Sequence, residues 1–331
     1  MTMTTRFDRP LSLHDARWAV EQAGRAPSIH NTQPWRFRWD GSAFELRADT
    51  GRGLTAGDPD GRELVLSCGA ALYNLRLALR KLGFQPTVTP LPDRADPRLL
   101  ARVTVCETTP ADNETRLAYS ALLRRHTHRG TFDDRPLAAN LAVVLQRAAE
   151  EELARLIYVH HPGQRRRVLS LARAAERELA EDDRIRTEIA GWTPAPGSGR
   201  RDGVPATAYA ADPPRPADDL APREFDQDRR YGKLEVAETP PGVIAVLVTT
   251  TDLEPDWLSA GQALERVLIA AAQHGAFAAL HSQVVELPHR RAELRRELCT
   301  DGYPQIALRF GYAPDVTVTP RRPVDDVLDL T

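Results

Sequence analysis

The ten residues Ala26-Pro27-Ser28-Ile29-His30-Asn31-Thr32-Gln33-Pro34-Trp35 are the most informative part of this chain about its fold. Pro27 and Pro34 each disfavour the helical conformation of the preceding residue, so the sequence predicts a fixed, extended loop rather than a helix. The loop carries hydroxyl, imidazole and amide groups, which need hydrogen-bond partners when they are buried. Such a loop is typical of a site for a polar, planar ligand, whereas Trp35 is expected to anchor the core.

The composition is that of a soluble globular protein with one large core or two smaller ones. The chain has 331 residues, of which 42% are hydrophobic and 27% are charged, and its net charge is -2. All basic residues except Lys81 and Lys233 are arginine, which together with the many Ala and Pro residues indicates a GC-rich genome. Because 46 acidic residues balance the arginines, we do not expect a nucleic-acid partner.

The cysteines and the apolar runs indicate a cytoplasmic protein without a metal centre. Cys68, Cys106 and Cys299 are far apart and form no C-x-x-C spacing, so neither a zinc site nor a disulfide framework is expected. The first residues lack the apolar segment of a signal peptide. The longest strongly apolar runs, such as residues 243–248, are too short to span a bilayer, so no membrane association is expected.

Periodicity and turn signals predict helices and strands in a similar order in both halves of the chain. In the first half they predict helices at 12–24, 61–82 and 112–125, and strands at 35–39, 44–47, 87–89 and 100–105. In the second half they predict helices at 136–149, 164–181, 258–274 and 288–299, strands at 157–159, 243–250 and 305–310, and a C-terminal tail. Residues 193–222 are rich in Pro, Gly and Arg and are too long for an ordinary connection, so they indicate a lid or a disordered insert.

Two of the predicted helices share a sequence pattern. The run that starts Ser67-Cys-Gly-Ala-Ala-Leu aligns, with one gap, to the run that starts Ser259-Ala-Gly-Gln-Ala-Leu. Each run is an apolar helix that is closed by glycine and followed by a strand-like stretch. A duplicated α+β unit would leave such a similarity, although any two buried helices can share it.

A second dense motif is Arg124-Arg-His-Thr-His-Arg-Gly-Thr-Phe-Asp-Asp-Arg-Pro-Leu137. Arg125, Thr127 and Arg129 alternate, so they project to one side if the segment is extended. Forked guanidinium donors and a hydroxyl donor suit a phosphate dianion. His126 and His128 then point away and are expected to be structural or solvated.

Both motifs resemble those of the FMN-dependent nitroreductase family. Loop 26–35 resembles the family's P-S-x-x-N-x-Q-P-W loop, which reaches across a dimer interface and holds the flavin ring. The resemblance implies that this loop binds the cofactor through Pro27, Ser28, His30, Asn31 and Gln33. For His30, a proton-donating role near the flavin and a structural hydrogen bond both remain open.

The second motif resembles the R-R-S-x-R segment of the same family. That resemblance implies that Arg125, Thr127 and Arg129 bind the phosphate and ribityl chain of FMN. Pro320-Arg321-Arg322-Pro323 resembles the family's C-terminal segment, where a basic residue before a proline also contacts the phosphate. We prefer Arg322 for this contact and take Arg321 as the second choice. Residues 283–286 match, loosely, the family's backbone donor near flavin N5.

The distribution of the motifs predicts two fused halves. Loop 26–35 lies in the first half, residues 1–115, and the phosphate segment and the arginine tail lie in the second half, residues 116–331. A dimer of the family combines one set from each subunit in each of its sites. We therefore expect an α+β, nitroreductase-like fold whose two nitroreductase-like halves form an intramolecular pseudo-dimer with an inserted lid loop. We also expect one FMN per chain and a monomer in solution.

Within the family the chain resembles the Acg-like branch of actinobacteria. The shared motifs are the A-P-S-x-H-N-T-Q-P-W loop, the D-x-R-E-L run from Asp60, R-R-x-T-x-R, D-G-V-P from Asp202 and R-R-P near the end. In that branch an inserted lid covers the flavin pocket, which makes residues 202–205 the lid candidate.

The resemblance implies an oxidoreductase that passes electrons from NAD(P)H through FMN to a quinone, a nitro-aromatic or a similar small-molecule acceptor. The cofactor carries the chemistry, so no catalytic residue is assigned. No G-x-G-x-x-G fingerprint occurs, so NAD(P)H would bind transiently over the flavin. Two alternatives remain: a flavin storage protein whose lid blocks hydride donors, and a binding module without flavin that kept only the scaffold.

Overall fold

Two β-sheets and two long central helices organise the chain in a computed structural model. The structure describes residues 10–210, 220, 222–227, 229–233, 242–313 and 318–331. The described helices are α1 Leu13–Ala23, α2 Arg62–Lys81, α3 Asn113–Leu122, α4 Leu141–Glu150, α5 Pro162–Glu181, α6 Asp183–Gly191, α7 Glu254–Gln273, α8 Gln283–Glu286 and α9 Pro288–Glu297. The described strands are β1 Trp35–Trp39, β2 Ala43–Ala48, β3 Phe84–Pro90, β4 Leu99–Thr108, β5 Arg155–Tyr158, β6 Val243–Thr249, β7 Phe277–His281, β8 Tyr303–Gly311 and β9 Leu328–Leu330.

Local sequence signals explain the first elements. The Ser12 side chain accepts a hydrogen bond from the Asp15 backbone N–H at 3.1 Å and so caps α1. The β1–β2 hairpin turns at Asp40, whose carboxylate accepts the backbone N–H groups of Ser42 and Ala43 at 2.9 and 2.8 Å. Trp35 is fully buried, as predicted. These elements confirm the predicted helix at 12–24 and the predicted strands at 35–39 and 44–47 to within one residue.

The two sheets have equivalent strand orders. One sheet runs β3-β4-β2-β1-β9, and the other, counted from its β7 edge, runs β7-β8-β6-β5. Helix α2 precedes β3 just as α7 precedes β7, so the halves repeat one α+β unit. The fold is therefore nitroreductase-like with two fused halves, as the motifs predict.

The central helices α2 and α7 cross at two glycines that the sequence similarity aligns. A Cβ atom on Gly69 would lie 2.2 Å from the Leu258 carbonyl oxygen, and one on Gly261 would lie 2.0 Å from the Leu66 carbonyl oxygen. The reciprocal contacts are what a two-fold relation between two copies of one helix produces. The two weakly similar runs, which start at Ser67 and Ser259, therefore form structurally equivalent helices.

The halves differ in two connections that matter for function. Residues 24–34 join α1 to β1, whereas residues 151–154 alone join the equivalent α4 to β5. The second half instead carries α5, α6 and the predicted lid between β5 and β6. Only the first half therefore has the loop that the family motif describes.

The C-terminal tail, described over residues 318–331, returns to the first half. Its strand β9 pairs in parallel with β1, with Phe37 opposite Leu328. The sequence predicts only a tail here, because a three-residue strand has no periodicity of its own and exists through its partner. The predicted helix at 136–149 begins later, at Leu141, and the one at 258–274 begins earlier, at Glu254.

Loop 26–35 is more sharply turned than predicted. Residues Ile29–Asn31 form a 3-10 turn, and His30, Asn31 and Gln33 have φ angles of 46°, 56° and 52°. The prolines restrict only the residues before them, so they leave this central turn free to form. Ser28 stabilises it, because its hydroxyl accepts the Gln33 backbone N–H at 2.9 Å.

Candidate functional site

A pocket opens between the two halves, beside α2 and α7. Its empty volume is about 1010 Å³, open solvent at the mouth included. Loop 26–35, α2, residues 127–129, α7, β7 and β8 contribute to its walls, together with residues 209–225. The lining residues are Pro27, Ser28, Ile29, His30, Glu63, Leu66, Ser67, Thr127, His128, Arg129, Tyr209, Ala210, Pro222, Arg223, Phe225, Leu264, Ala279, Leu280, His281, Ser282, Gln305, Ile306 and Arg309.

Five of the predicted cofactor residues lie in this wall: Pro27, Ser28, His30, Thr127 and Arg129. The segment of Thr127 is held in place by β7, since Thr127 bridges to Ala278 and the His128 backbone N–H donates to the Ala278 oxygen at 2.9 Å. His128 also lines the pocket, which differs from the expectation that it points away. Its ring Nε2 lies 2.7 Å from the Thr131 carbonyl oxygen, so it does have a structural hydrogen bond.

Arg125, Arg129 and Arg321 form the arginine cluster, of which Arg129 lines the pocket and Arg125 and Arg321 lie outside its wall. Burial, and next the charge of Arg125, lower the pKa of Arg129 to about 10. Burial, and next the charges around it, lower the pKa of Arg321 to about 9, with Arg125 the strongest neighbour. Arg125 is buried and Arg129 and Arg321 are half-buried, so the three guanidinium groups repel one another with less screening than in bulk water.

One carboxylate offsets part of this charge. Glu265 of α7 lies 3.2 Å from the Arg125 Nε and is fully buried. Burial raises its pKa to about 7, while Arg125, Asn74 and Arg321 oppose that shift. Among the described residues no carboxylate forms an ion pair with Arg129 or Arg321, so positive charge remains in excess.

The arginine cluster also holds unused donors. The Arg125 Nη1 and the Arg321 Nε are buried and have no hydrogen-bond partner among the described residues. Buried donors without partners cost free energy, and guanidinium donors are best satisfied by phosphate or carboxylate oxygens. The cluster thus fits a phosphate group better than it fits an empty core.

Of the two tail arginines, Arg321 and not the preferred Arg322 joins the cluster. Arg322 donates from Nη1 to the Gln33 carbonyl oxygen at 3.1 Å and from Nη2 to the Asp326 carbonyl oxygen at 2.8 Å. Its nearest carboxylate is that of Asp49, at 3.9 Å. Arg322 therefore fixes the tail against the loop, and Arg321 is the better placed of the two for an anion.

Asn31 and Gln33 are not among the residues that line the pocket. Their side chains bind backbone groups and, for Asn31, the Arg321 guanidinium. The Asn31 Nδ2 donates to the Gly203 oxygen at 2.8 Å, and its Oδ1 accepts from the Arg321 Nη1 at 3.0 Å. The Gln33 Nε2 donates to the Arg201 oxygen at 2.9 Å, and its Oε1 accepts the Arg322 backbone N–H at 2.8 Å. These two amides join the loop to residues 201–203 and to the tail.

Residues 193–210 and 222–227, here called the lid, cover the pocket. Predicted lid residues 211–219 and 221 lie outside the described residues. Asp202 forms an ion pair with Arg52, whose guanidinium also lies over the Trp192 ring at 5.2 Å. Val204 is fully buried, and Tyr209 and Phe225 line the cavity.

His30 is held in a left-handed conformation against the lid. Its ring meets the Phe225 ring edge-on with centroids 5.7 Å apart. Its Nδ1 is buried and has no hydrogen-bond partner among the described residues. Burial, and next the charges of Arg223 and Arg129, hold the pKa of His30 well below its usual value, so the imidazole is neutral. A neutral ring with a free nitrogen suits a hydrogen bond to a bound ligand.

At the pocket lie further charged residues whose side chains the sequence analysis did not identify. Arg223 of the lid forms an ion pair with Glu286, and Glu63 of α2 lies in the wall. Burial, and next the charge of Glu286, raise the pKa of Glu63 well above its usual value. Glu63 and Glu265 each stand in an apolar helical run, which is the one signal that could have identified them.

No model of a protein family matches the chain. A Mycobacterium tuberculosis protein named "Putative NAD(P)H nitroreductase" is 32% identical over 321 residues, which cover 95% of this chain and 90% of the relative. The chain belongs to the nitroreductase family. A second M. tuberculosis nitroreductase relative, which carries the name acg, is 29% identical and covers 93% of each chain.

The nitroreductase fold is also present in a solved structure that spans both halves. This nitroreductase-named protein from Anabaena variabilis has a TM-score of 0.53 and covers 92% of this chain and 90% of its own, at 8% identity. At that identity the likeness concerns the fold alone. In the part of the chain that the structure describes, no helix is long and apolar enough to cross a membrane. The same residues contain no His, Cys, Asp and Glu group that could hold a metal ion.

Proposed function

We propose that this chain is an oxidoreductase of the nitroreductase type that binds one FMN in the pocket. The arginine cluster would hold the phosphate, with Thr127 as hydroxyl donor, and loop 26–35 would face the rest of the cofactor through Pro27, Ser28 and His30. Bound FMN would supply hydride acceptance from NAD(P)H and electron transfer to a quinone, nitro-aromatic or similar acceptor. The chain itself would orient the cofactor and exclude water.

The observation that carries this proposal is the excess charge of the arginine cluster. Three arginines and one glutamate leave a positive charge that a phosphate dianion would balance, and the unpartnered guanidinium donors would bind its oxygens. Such a cluster is costly to bury without an anion. The side chains of the cluster all come from the second half and its tail, whereas Pro27, Ser28 and His30 of the first half line the same pocket, as a site shared by two fused copies requires.

Two further features support one FMN per chain. The connection of residues 151–154 is too short to hold a second copy of loop 26–35, and the tail that carries Arg321 turns toward the first half. We propose that the halves divide near residue 115 and that the fused pair acts as a monomer. Native mass spectrometry of FMN-loaded protein should give one flavin per chain, and two would contradict this stoichiometry.

Arg321→Ala and Arg322→Ala form a matched pair that tests the phosphate site. A charge-assisted hydrogen bond contributes about 1.5–3 kcal/mol, so Arg321→Ala should weaken FMN binding roughly tenfold to a hundredfold. Riboflavin, which lacks the phosphate, should lose little affinity. Arg322→Ala should change the preference for FMN over riboflavin much less. Equal losses for both flavins in Arg321→Ala would place the phosphate elsewhere.

The redox function requires a separate test. We would record the visible spectrum of FMN-loaded protein without oxygen after adding excess NADPH or NADH. Bleaching of the flavin band supports an oxidoreductase. An unchanged spectrum with both donors contradicts NAD(P)H-dependent reduction.

A lid that covers the pocket favours a second candidate, flavin storage. Tyr209 and Phe225 of the lid line the cavity, so a hydride donor would have to share this space with them. Arg52→Ala removes the ion pair with Asp202 and the hydrogen bond from the Arg52 Nε to the Thr32 carbonyl oxygen, and should loosen the lid while every side chain of the pocket wall is kept. If wild-type protein resists reduction and Arg52→Ala is reduced, the lid blocks the donor and storage is the better description. Equal reduction rates in both proteins would contradict it.

A further inference from the structure

We propose that Asn31 is a positioning residue that couples phosphate binding to closure of the lid. This proposal rests on the proposed FMN site. It assigns Asn31 a role through Arg321 and Gly203, away from the flavin ring that the family motif suggests. FMN would therefore close the lid more firmly than riboflavin, although the two flavins share the same ring.

The first observation is that the Asn31 side-chain amide contacts both the lid and the C-terminal tail. The Asn31 Oδ1 accepts from the Arg321 Nη1 at 3.0 Å, and its Nδ2 donates to the Gly203 oxygen of the lid at 2.8 Å and to the Pro320 oxygen of the tail at 3.2 Å. Asn31 is buried, so water does not replace these partners. In the other direction, the Gly203 backbone N–H donates to the Asn31 carbonyl oxygen at 3.1 Å.

The second observation is that the amide has only one workable orientation. Its oxygen faces the guanidinium donor and its nitrogen faces two carbonyl oxygens. A flipped amide would point N–H at N–H and oxygen at oxygen, and all three hydrogen bonds would be lost. The position of Arg321 thus fixes which group Asn31 presents to the lid.

The third observation is that Arg321 keeps one unused donor among other positive charges. Its Nη1 donates to Asn31, Thr319 and Pro320, and its Nη2 donates to the Arg25 oxygen at 3.2 Å. Its Nε is buried without a partner among the described residues, next to two other guanidinium groups. A phosphate would offset this repulsion and fix the Arg321 guanidinium in place. Arg321 would then hold Asn31, and Asn31 would hold Gly203.

Such a connection is a coupling free energy and acts in both directions. Phosphate binding stabilises the closed lid, and the closed lid stabilises bound phosphate by the same factor. Couplings of this kind usually amount to fivefold to about a hundredfold in an equilibrium constant. Riboflavin cannot use this route, because it has no group that reaches the arginine cluster.

Hydrogen–deuterium exchange of peptides from residues 193–210 reports opening of the lid. With wild-type protein, saturating FMN should slow exchange in these peptides about tenfold more than saturating riboflavin does. In Asn31→Ala the two flavins should slow exchange equally. Equal protection by FMN and riboflavin in the wild-type protein would overturn the proposal without any variant.

Two further variants separate coupling from general damage. Asn31→Asp keeps the side-chain shape and the oxygen that faces Arg321 but turns the lid-facing amide into a carboxylate oxygen, so the difference between the flavins should again disappear. Arg52→Ala loosens the lid but leaves Asn31 and Arg321 intact, so exchange should be faster with both flavins while their difference persists. A persistent difference in both Asn31 variants would overturn the proposal. Failure of wild-type protein to bind either flavin would instead contradict the FMN site itself.

Discussion

Glu265 shows how a single buried residue sets the charge of the site. It lies in helix α7 between the apolar residues Leu264 and Val267 and beside Arg266, where burial raises its pKa from the usual 4.5 to about 7. The unfolded chain releases this proton near pH 4.5, but the folded protein keeps it until about pH 7. Between these values the folded state binds more protons, so this group makes stability fall as pH rises.

Glu265→Gln removes this titration and predicts a measurable difference. The free energy of unfolding of wild-type protein, minus that of Glu265→Gln, should fall by up to about 3 kcal/mol between pH 4.5 and 7.5. Urea unfolding of both proteins without flavin, at several pH values, measures it. A difference that grows with pH would mean that the Arg125 ion pair outweighs burial and lowers the pKa of Glu265.

Residue types and their spacing identified some residues of the site but not others. The alternation of Arg125, Thr127 and Arg129 indicates a phosphate site because their spacing is local. Glu265 and Arg223 reach the site from elements distant in sequence, so no local pattern marks them. The choice between Arg321 and Arg322 also depends on the path of the tail. Because the two residues are adjacent and have the same side chain, the sequence does not distinguish which of them faces the site.

At the scale of elements, the α2–α7 crossing holds the halves together and sets the width of the pocket. Leu66 and Leu264 of these helices line the cavity, and the helices meet at Gly69 and Gly261. A long apolar helix with a glycine stop is easy to predict from sequence. The crossing of the two helices is hard to predict, because it depends on the surface of a second helix. The alignment of Gly69 with Gly261 is the sequence feature that corresponds to it.

Gly261→Ala should therefore separate α2 and α7. The added Cβ would lie 2.0 Å from the Leu66 carbonyl oxygen, and a backbone atom cannot move aside cheaply. We expect a loss of about 3 kcal/mol in the free energy of unfolding. Gly191→Ala, at a helix end with nothing within 4 Å of the new atom, is the control and should have little effect. Similar stability of the two variants in urea unfolding would mean that the helices can shift apart freely.

At the scale of the whole molecule, fusion has made the two halves unequal. The first half keeps loop 26–35, and the second half provides the phosphate segment, the lid and the tail that returns to the first sheet. The tail links these parts, because Arg321 and Arg322 lie on its path between β8 and β9. The position of the arginine cluster therefore depends on a strand pairing at the far edge of the first sheet.

The same substitution at Leu328 and at Leu330 tests whether the pairing of β9 with β1 positions Arg321. Leu328 is buried in β9 opposite Phe37, whereas Leu330 is 48% exposed. Leu328→Asp would bury an unpaired charge and release β9 from β1, so the tail should hold Arg321 less firmly. We expect FMN affinity, measured by quenching of flavin fluorescence, to fall at least about tenfold in Leu328→Asp, which corresponds to about 1.4 kcal/mol. Leu330→Asp should keep near-wild-type affinity. If both variants bind FMN as wild-type protein does, Arg321 is positioned by its local contacts with Asn31 and Thr319, and the strand that closes the first sheet is not needed for the site.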